Sequence, residues 1–177
     1  MDFKKRTTFN NIQFNKILSV PPNWLSIKTI DMHTGGEPLR VIVDGFPAIR
    51  GNTVLEARQF VKNNYDHLRK ALMFEPRGHA DMYGCLLIPP NDEGADFGIL
   101  FMHNEGYSTM CGHAIIGITT LAVEMNWVDV KAPETIVKID APCGRITSFA
   151  KVENGRVKGV YFHSVPSFVL ALDQTIE

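Results

Sequence analysis

Asn104 to Asn126 reads N-E-G-Y-S-T-M-C-G-H-A-I-I-G-I-T-T-L-A-V-E-M-N, and the rest of the chain can be interpreted outward from this segment. Its first part is polar and contains glycine, and its second part is apolar on nearly every face, which predicts a loop leading into a buried helix. Ser108 or Thr109 is expected to cap the helix N-terminus with a side-chain oxygen. Residues 111–113 then fall in the first turn, where backbone N–H groups have no partner within the helix.

A cysteine at such a helix start is chemically poised. The positive end of the helix dipole favours the thiolate, so we expect the pKa of Cys111 to lie below the usual value of about 8.5. The free N–H groups would also bind a carboxylate or phosphate beside the sulfur. The alternative is that Cys111 is a small core residue, as free cysteines most often are. Position alone does not choose between the two.

The composition is that of an ordinary globular chain of one-domain size. Its 177 residues carry a formal net charge of −1 with 21% charged residues, which gives no reason to expect nucleic acid or an anionic membrane as a partner. No apolar run approaches the length needed to span a bilayer. Residues 1–22 form a polar leader that is predicted to be poorly ordered and lacks the apolar core of a secretory signal.

The three cysteines, Cys85, Cys111 and Cys143, occur without CxxC spacing. Their odd number argues against a disulfide framework and for a reducing compartment, so we expect a cytoplasmic protein. Cys85 lies in an apolar strand pattern and is expected in the core. Cys143 lies in the sequence Ala-Pro-Cys-Gly, which indicates a turn into the next strand.

Residue patterns predict seven strands and two helices. The strands are expected at Leu25 to Asp31, Leu39 to Asp44, Tyr83 to Ile88, Phe97 to His103, Thr135 to Asp140, Arg145 to Val152 and Val157 to His163. Besides the helix that follows Cys111, one amphipathic helix is predicted from Thr53 to Met73, with Arg58 and Arg69 on its solvated face. Turns are expected at residues 35–36 and 153–155. This order of elements indicates an α+β fold rich in antiparallel hairpins.

Three chemical interpretations compete for the polar residues, and the first is a zinc site. Zinc deaminases carry H-x-E followed later by P-C-x-x-C, and His103, Glu105 and Cys143 match part of that pattern. Ile146 occupies the position of the second cysteine, so a tetrahedral zinc site would lack a ligand. We therefore expect no metal.

The other two interpretations use Cys111 directly. A cysteine hydrolase would pair it with a histidine such as His33, His79 or His163, and the sequence does not exclude this. In the third interpretation the Cys111 thiolate removes the proton on the carbon next to a carboxylate, while helix N–H groups hold that carboxylate and stabilise the developing charge. Only the third accounts for an anion-binding helix end beside the thiol.

Three motifs carry a family resemblance. Residues 31–38 read DMHTGGEP, residues 75–84 read EPRGHADMYG and residues 110–113 read MCGH. In this order and spacing they resemble the first half of the proline racemase family. The resemblance implies an α+β lobe of the proline racemase/diaminopimelate epimerase-like fold, a curved and mostly antiparallel sheet around a central helix. Residues 23–177 are then expected to form the N-terminal lobe, with a second lobe missing.

The resemblance also implies roles for the MCGH motif. In the family the substrate lies between the helix N-termini of two facing lobes, so Cys111 is implied as the proton acceptor of the first lobe. Gly112 and His113 are implied to bind the substrate carboxylate through their backbone amides. Residues 102–109, MHNEGYST, differ from the M-D-x-G-G-Y typical of racemases and epimerases and resemble the trans-3-hydroxy-L-proline dehydratases. The implied reaction is a hydro-lyase elimination of water from a cyclic imino acid, without metal or organic cofactor.

Four polar residues are candidates for supporting roles. We hypothesise that His103 or Glu105 helps the substrate hydroxyl group to leave. Glu37 and His33 lie in the compact turn at residues 32–38, where they either point at the site or satisfy loop amides. The sequence leaves this choice open.

The partner lobe would decide between related reactions. Its catalytic position is cysteine in the family's racemases and epimerases and threonine in its dehydratases, and this sequence ends after about one lobe. A proline racemase, a hydroxyproline epimerase and a non-catalytic half protein therefore stay open as alternatives. A homodimer that places two Cys111 thiols opposite each other is a further alternative.

Overall fold

The structure is a computed structural model, and it describes residues 21–169, 171–173 and 175. The predicted leader lies outside these residues except for Pro21 and Pro22. In the described part of the chain the strands are β1 (Lys28–Thr34), β2 (Glu37–Asp44), β3 (Tyr83–Ile88), β4 (Phe97–His103), β5 (Glu134–Ala141), β6 (Gly144–Glu153) and β7 (Arg156–His163). The helices are α1 (Val54–Asn64), α2 (Asp66–Met73) and α3 (Gly112–Glu124). The predicted strands all form, and the last five lie within one residue of their expected bounds.

The seven strands form one sheet in chain order, β1 to β7. Neighbouring strands are antiparallel except for the pairs β2–β3 and β4–β5, which are parallel. Parallel neighbours need a crossover connection. Helices α1 and α2 lie in the first crossover and α3 lies in the second. The mostly antiparallel sheet agrees with the sequence prediction.

The sheet is curved around α3. This helix contacts β1 and β2 as well as β6 and β7. Since β1 and β7 are the two edges of the sheet, both can reach a single helix only if the sheet wraps around it. Ala114, Ile115 and Ile118 are fully buried in the core that forms there. The expected central helix is therefore confirmed, and burying each such isoleucine contributes roughly 1.5–3 kcal/mol.

Helices α1 and α2 cover the opposite face of the central strands. Along β4, Ile99 and Phe101 belong to the α3 core, whereas Leu100 and Met102 belong to a second core with α1 and α2. A strand buried on both faces is apolar at every position rather than at alternate ones. None of the helices in the described part of the chain has the length and apolar character needed to cross a membrane.

The prediction of one helix from Thr53 to Met73 is wrong, because the helix breaks at Tyr65. The start is as expected, since the Thr53 side chain caps it by accepting from the Glu56 amide at 3.2 Å. Tyr65 leaves helical geometry with φ −127° and ψ 16°, and its ring packs edge-on against Phe46 at 5.7 Å. A tertiary contact thus overrides the local helical pattern.

The first strand also differs from its predicted bounds. The sequence predicts Leu25 to Asp31, but β1 begins at Lys28 and continues to Thr34. Pairing with β2 extends to the Thr34–Glu37 pair, and residues 35 and 36 make the turn with φ of 61° and 104°. These positive values favour glycine, so the predicted glycine bend is confirmed and sets the end of the strand. The turn expected at residues 153–155 is confirmed as the β6–β7 hairpin.

Two contacts hold α3 close to the start of the sheet. A Cβ atom at Gly117 would lie 2.8 Å from Cδ2 of Leu39 on β2, so a larger residue would force the buried Leu39 side chain to move. The Thr34 hydroxyl donates to the His113 carbonyl at 2.9 Å. The N-terminal turn of α3 is therefore fixed relative to β1 and β2.

Candidate active site

Cys111 is the N-cap of α3 and not a member of its first turn. Its carbonyl accepts the first helical hydrogen bond, from the Ile115 amide at 3.1 Å. The prediction that Ser108 or Thr109 caps the helix is wrong, because both residues form hydrogen bonds to other segments. The Ser108 hydroxyl bonds to Tyr83, and the Thr109 carbonyl accepts from the Cys143 amide at 3.1 Å. The thiol still lies at the helix N-terminus, beside the amides of residues 112–114, which have no partner within the helix.

The Cys111 sulfur lies in contact with the ring of His113. Its Sγ atom is 3.2 Å from Nδ1 and 3.8 Å from Nε2. The side chain is largely enclosed, with the residue only 8% exposed. Thiol and imidazole are thus close enough for direct proton transfer, which is the arrangement found in activated cysteines.

Burial raises the pKa of the Cys111 thiol above its usual value. The backbone amide of Ala114, the hydroxyl of Tyr83 and the backbone amide of His113 each lower this pKa by hydrogen bonding, and the charge of Glu37 raises it. The expectation of a low pKa is therefore wrong for this chain, since desolvation of the thiolate outweighs the helix end. A neighbouring base is needed to remove the thiol proton at neutral pH.

Tyr83 organises the aromatic surroundings of the thiol. Its ring stacks on His103 with centroids 5.6 Å apart and an interplanar angle of 14°, and meets the ring of His113 edge-on at 4.8 Å. Its hydroxyl is hydrogen-bonded to the Ser108 hydroxyl. Sequence reasoning did not single out Tyr83 as a residue of the candidate site. The signal was its position as the first residue of β3, directly after a loop dense in titratable side chains.

Arg69 holds the loop that carries His103 and Glu105. Its Nη1 donates to the carbonyls of His103 and Asn104 at 2.7 and 2.6 Å, and its Nε donates to Asp66 at 2.7 Å. The residue is only 5% exposed, so its predicted place on a solvated face is wrong. An amphipathic pattern assigns polar side chains to solvent, but this one is buried because it satisfies two loop carbonyls.

Arg58, predicted on the same solvated face, is also partly buried. Its Nη2 donates to the carbonyl of Tyr107. Asn104 joins two further segments, since its Nδ2 donates to the carbonyls of Met73 and His79 at 3.1 and 3.0 Å. Side chains from α1 and from the loop itself thus fix the backbone that leads into Cys111.

Three of the four predicted supporting residues lie together, and His33 lies apart from them. Glu37, His103 and Glu105 line one open depression of about 330 Å³ together with Tyr83. Nδ1 of His103 accepts the Glu105 amide at 3.3 Å. His33 does not line this depression, and its Nδ1 accepts the Gly36 amide at 3.3 Å.

The histidines considered for a cysteine hydrolase are engaged elsewhere. Nδ1 of His79 accepts the Asp81 amide at 3.3 Å, and the ring of His163 packs against Phe149 at 5.1 Å. The imidazole in contact with Cys111 is that of His113. Within the described ranges, no group of three or more His, Cys, Asp or Glu side chains is arranged to hold a metal ion. Cys85 is fully buried, as expected, and Cys143 lies in the β5–β6 turn.

Solved structures share this lobe. A hydroxyproline epimerase from Agrobacterium vitis, solved with bound trans-4-hydroxy-L-proline, superposes with a TM-score of 0.79 at 30% identity over 85% of this chain and 44% of the other. A probable proline racemase from Agrobacterium radiobacter gives the same TM-score at 33% identity over 85% of this chain and 45% of the other. The fold thus falls in the class of proline racemase and epimerase lobes. The chain belongs to the proline racemase family, whose model matches residues 29–177.

Curated relatives are more similar in sequence. A trans-L-3-hydroxyproline dehydratase from Xenopus tropicalis is 53% identical over 152 residues, covering 85% of this chain and 44% of the relative. A trans-3-hydroxy-L-proline dehydratase from Colwellia psychrerythraea is 52% identical over 88% of this chain and 44% of its own length. A 3-hydroxyproline 2-epimerase from Burkholderia multivorans is 47% identical over 86% of this chain and 45% of its own length. The chain therefore spans a little under half the length of the curated relatives it matches.

Proposed function

We propose that this chain forms the N-terminal lobe, residues 23–177, of a trans-3-hydroxy-L-proline dehydratase. The observation that carries the proposal is the Cys111 thiol at the N-terminus of a buried helix, in contact with an imidazole 3.2 Å away. The similarity to relatives named as dehydratases supports the choice of reaction. The substrate is a small cyclic imino acid, and its own carboxylate and ammonium groups supply the charges that activate the proton to be removed.

Cys111 acts as the base in this proposal. Its thiol first transfers a proton to His113, which forms a thiolate and imidazolium pair and avoids a lone buried charge. The thiolate then removes the proton on C2 of the substrate. Backbone amides of Gly112 and His113 hold the carboxylate and stabilise the charge that develops on it.

Elimination follows from the resulting carbanion. Its electron pair forms the C2–C3 double bond, the C3–O bond breaks, and the hydroxyl group leaves as water after gaining a proton. The enamine product tautomerises to Δ1-pyrroline-2-carboxylate. His103, Glu105, Glu37 and His33 remain candidate supporting residues. Full turnover in a Glu105→Gln, His103→Phe double variant would remove the first two.

A racemase or epimerase is the second candidate, and the similarity to the Burkholderia multivorans epimerase and the Agrobacterium vitis structure favours it. The same Cys111 chemistry serves both reactions, because each begins by removing the proton on C2. The residue facing Cys111 across the substrate decides whether a proton returns to C2. A second lobe or a second copy of this chain would supply that residue. We place the protein in the cytoplasm on the ground of its free thiols.

The test is the activity of the full-length protein on trans-3-hydroxy-L-proline, with pyrroline formation measured against optical rotation of unreacted substrate. Cys111→Ser is expected to lower the rate by at least about 10³-fold, because the serine hydroxyl is a far weaker acid than the thiol. Cys143→Ser is the matched control, since this half-buried cysteine lies in a turn, and it should retain activity. Equal activity of Cys111→Ser and the native protein would overturn the mechanism. Racemised substrate without pyrroline would favour the epimerase, and no reaction at all would favour the non-catalytic alternative.

A further inference from the structure

A pair of hydroxyl groups reaches the surroundings of the thiol through Tyr83, and the proposed mechanism gives the pair no role. The Tyr83 hydroxyl is hydrogen-bonded to the Ser108 hydroxyl. The Tyr83 ring contacts His113 at 4.8 Å, and Nδ1 of His113 lies 3.2 Å from the Cys111 sulfur. A hydrogen bond from the Tyr83 hydroxyl also lowers the pKa of that thiol. The Tyr83 ring is held by stacking on His103 and by its edge contact with His113. The pair is therefore fixed on the sulfur side of the site.

The stereochemistry of the substrate determines which side its hydroxyl group faces. In trans-3-hydroxy-L-proline the C3 hydroxyl and the C2 carboxylate lie on opposite faces of the ring. The hydrogen on C2 also lies opposite the carboxylate. The hydrogen to be removed and the hydroxyl group to be lost therefore share one face. A base that reaches this hydrogen approaches the face that carries the hydroxyl group, so its proton donor must lie in the same lobe, beside the base.

We propose that the Tyr83–Ser108 hydroxyl pair binds the C3 hydroxyl group of the substrate and protonates it as it leaves. The proposal rests on the proposed dehydratase function of Cys111. It makes Tyr83 and Ser108 catalytic residues of the elimination step and leaves the removal of the C2 proton to Cys111. It also predicts selectivity for a ring hydroxyl group on the same face as the C2 hydrogen.

The proton balance of the step closes within the site. After the thiolate takes the C2 proton, the carbanion pair forms the C2–C3 double bond and the C3–O bond breaks. Ser108 donates its proton to the leaving oxygen and takes the proton of Tyr83. The Tyr83 oxygen then receives the proton held by the Cys111 thiol, which restores the thiolate. One water molecule leaves, and the site returns to the pair of Cys111 thiolate and His113 imidazolium from which the step began.

The surroundings of Tyr83 keep its hydroxyl protonated. Burial raises its pKa, so the group carries its proton at neutral pH but is a weak acid, and donation is driven by the charge that develops on the leaving oxygen. Glu105 is exposed, and His103 stacks on Tyr83 while its Nδ1 accepts the Glu105 amide. The hydroxyl pair is the donor group that contacts both Cys111 and its partner His113 through Tyr83.

The experiment separates the two halves of the reaction in the full-length protein. In D₂O the carbanion either loses hydroxide or takes up deuterium at C2, and mass spectrometry of recovered substrate measures the second path. Tyr83→Phe and Ser108→Ala are each expected to slow pyrroline formation by about 10²-fold or more, the usual worth of an acid catalyst. Deuterium uptake should stay within about fivefold of the native rate or rise in Ser108→Ala, because Cys111 still removes the proton. In Tyr83→Phe it should fall by a much smaller factor than pyrroline formation, because this variant also loses the hydrogen bond that lowers the pKa of Cys111.

Thr109→Ala is the matched control, because it removes an exposed hydroxyl one residue from Ser108 and should change neither rate. Tyr83→Phe keeps the ring that contacts both histidines, so a folded variant is expected, and its circular dichroism melting curve checks this. Loss of pyrroline formation and deuterium uptake in the same proportion would overturn the proposal, because the pair would then serve Cys111 rather than the leaving group. Unchanged pyrroline formation would overturn it as well. A native protein that shows neither reaction would instead refute the proposed function.

Discussion

Helix α3 and the α1–α2 pair cover opposite faces of the same sheet, but they serve the site in different ways. Helix α3 is enclosed by apolar side chains and carries the proposed catalytic thiol at its own N-terminus. Helices α1 and α2 carry no proposed reactive group, yet Arg58 and the buried Arg69 reach across to hold the loop before Cys111. The contrast shows that a local sequence pattern predicts the secondary structure of a segment. It does not predict the hydrogen bonds that the side chains of that segment make to a distant loop.

The largest effect is expected from a truncation on the α3 face. Ile118→Ala removes a fully buried side chain from the α3 core and should lower the free energy of unfolding by about 2–5 kcal/mol. Leu55→Ala on α1 is the matched control, since Leu55 is 58% exposed, and it should cost less than about 0.5 kcal/mol. Urea unfolding followed by circular dichroism measures both. Equal losses at the two positions would contradict the enclosed position of α3.

An intermediate effect is expected from Arg69→Met on the α2 face. The change leaves the carbonyls of His103 and Asn104 without their donor, and should cost about 2–3 kcal/mol because Asp66 keeps partial access to solvent. Amide hydrogen exchange of residues 103–107 should accelerate more than exchange elsewhere.

Lys70→Met is the control for this variant, because Lys70 also contacts Asp66, at 3.5 Å, but is itself exposed. It should change neither stability nor loop exchange measurably. If Arg69→Met lowered stability without a selective effect on residues 103–107, the arginine would be a packing residue only.

The smallest effect concerns pH. The folded thiol of Cys111 has a raised pKa and so keeps its proton to a higher pH than the unfolded thiol does. Stability from this group is present below about pH 8.5 and is lost as the pH rises through that value toward the folded pKa. Alkylation of Cys111 by iodoacetamide should accordingly reach half its maximal rate above about pH 8.5. A midpoint near neutral pH would show that the helix end outweighs burial after all.

The sequence allows much of the fold to be predicted, because most strands have a clear local sequence pattern. The bounds of β3 and β4 are as predicted, since apolar runs end there in turn residues. The break at Tyr65 could not be predicted, because it depends on a ring contact with Phe46, which is distant in sequence. Local signals thus define where elements form, and long-range contacts define where they are interrupted.

The candidate site can also be divided into features that depend on local sequence and features that depend on long-range contacts. A thiol at a helix start could be predicted from residues 104–126 alone. The Tyr83–Ser108 pair could not, because it depends on the register that sets Tyr83 opposite His103 in the sheet. The high pKa of Cys111 was missed for a related reason, since burial is a property of the packed lobe and the helix end is a property of the chain.

The enclosure of α3 has a consequence for how the site opens to solvent. Amides from Ile115 onward are bonded within a helix that the sheet surrounds, so their exchange with water requires opening of the whole lobe. The amides of Gly112, His113 and Ala114 have no acceptor within the helix, and those of His113 and Ala114 bond to the Cys111 thiol instead. Exchange of these three amides therefore does not require the helix to unfold. An incoming carboxylate can likewise reach the Gly112 and His113 amides without any unfolding event.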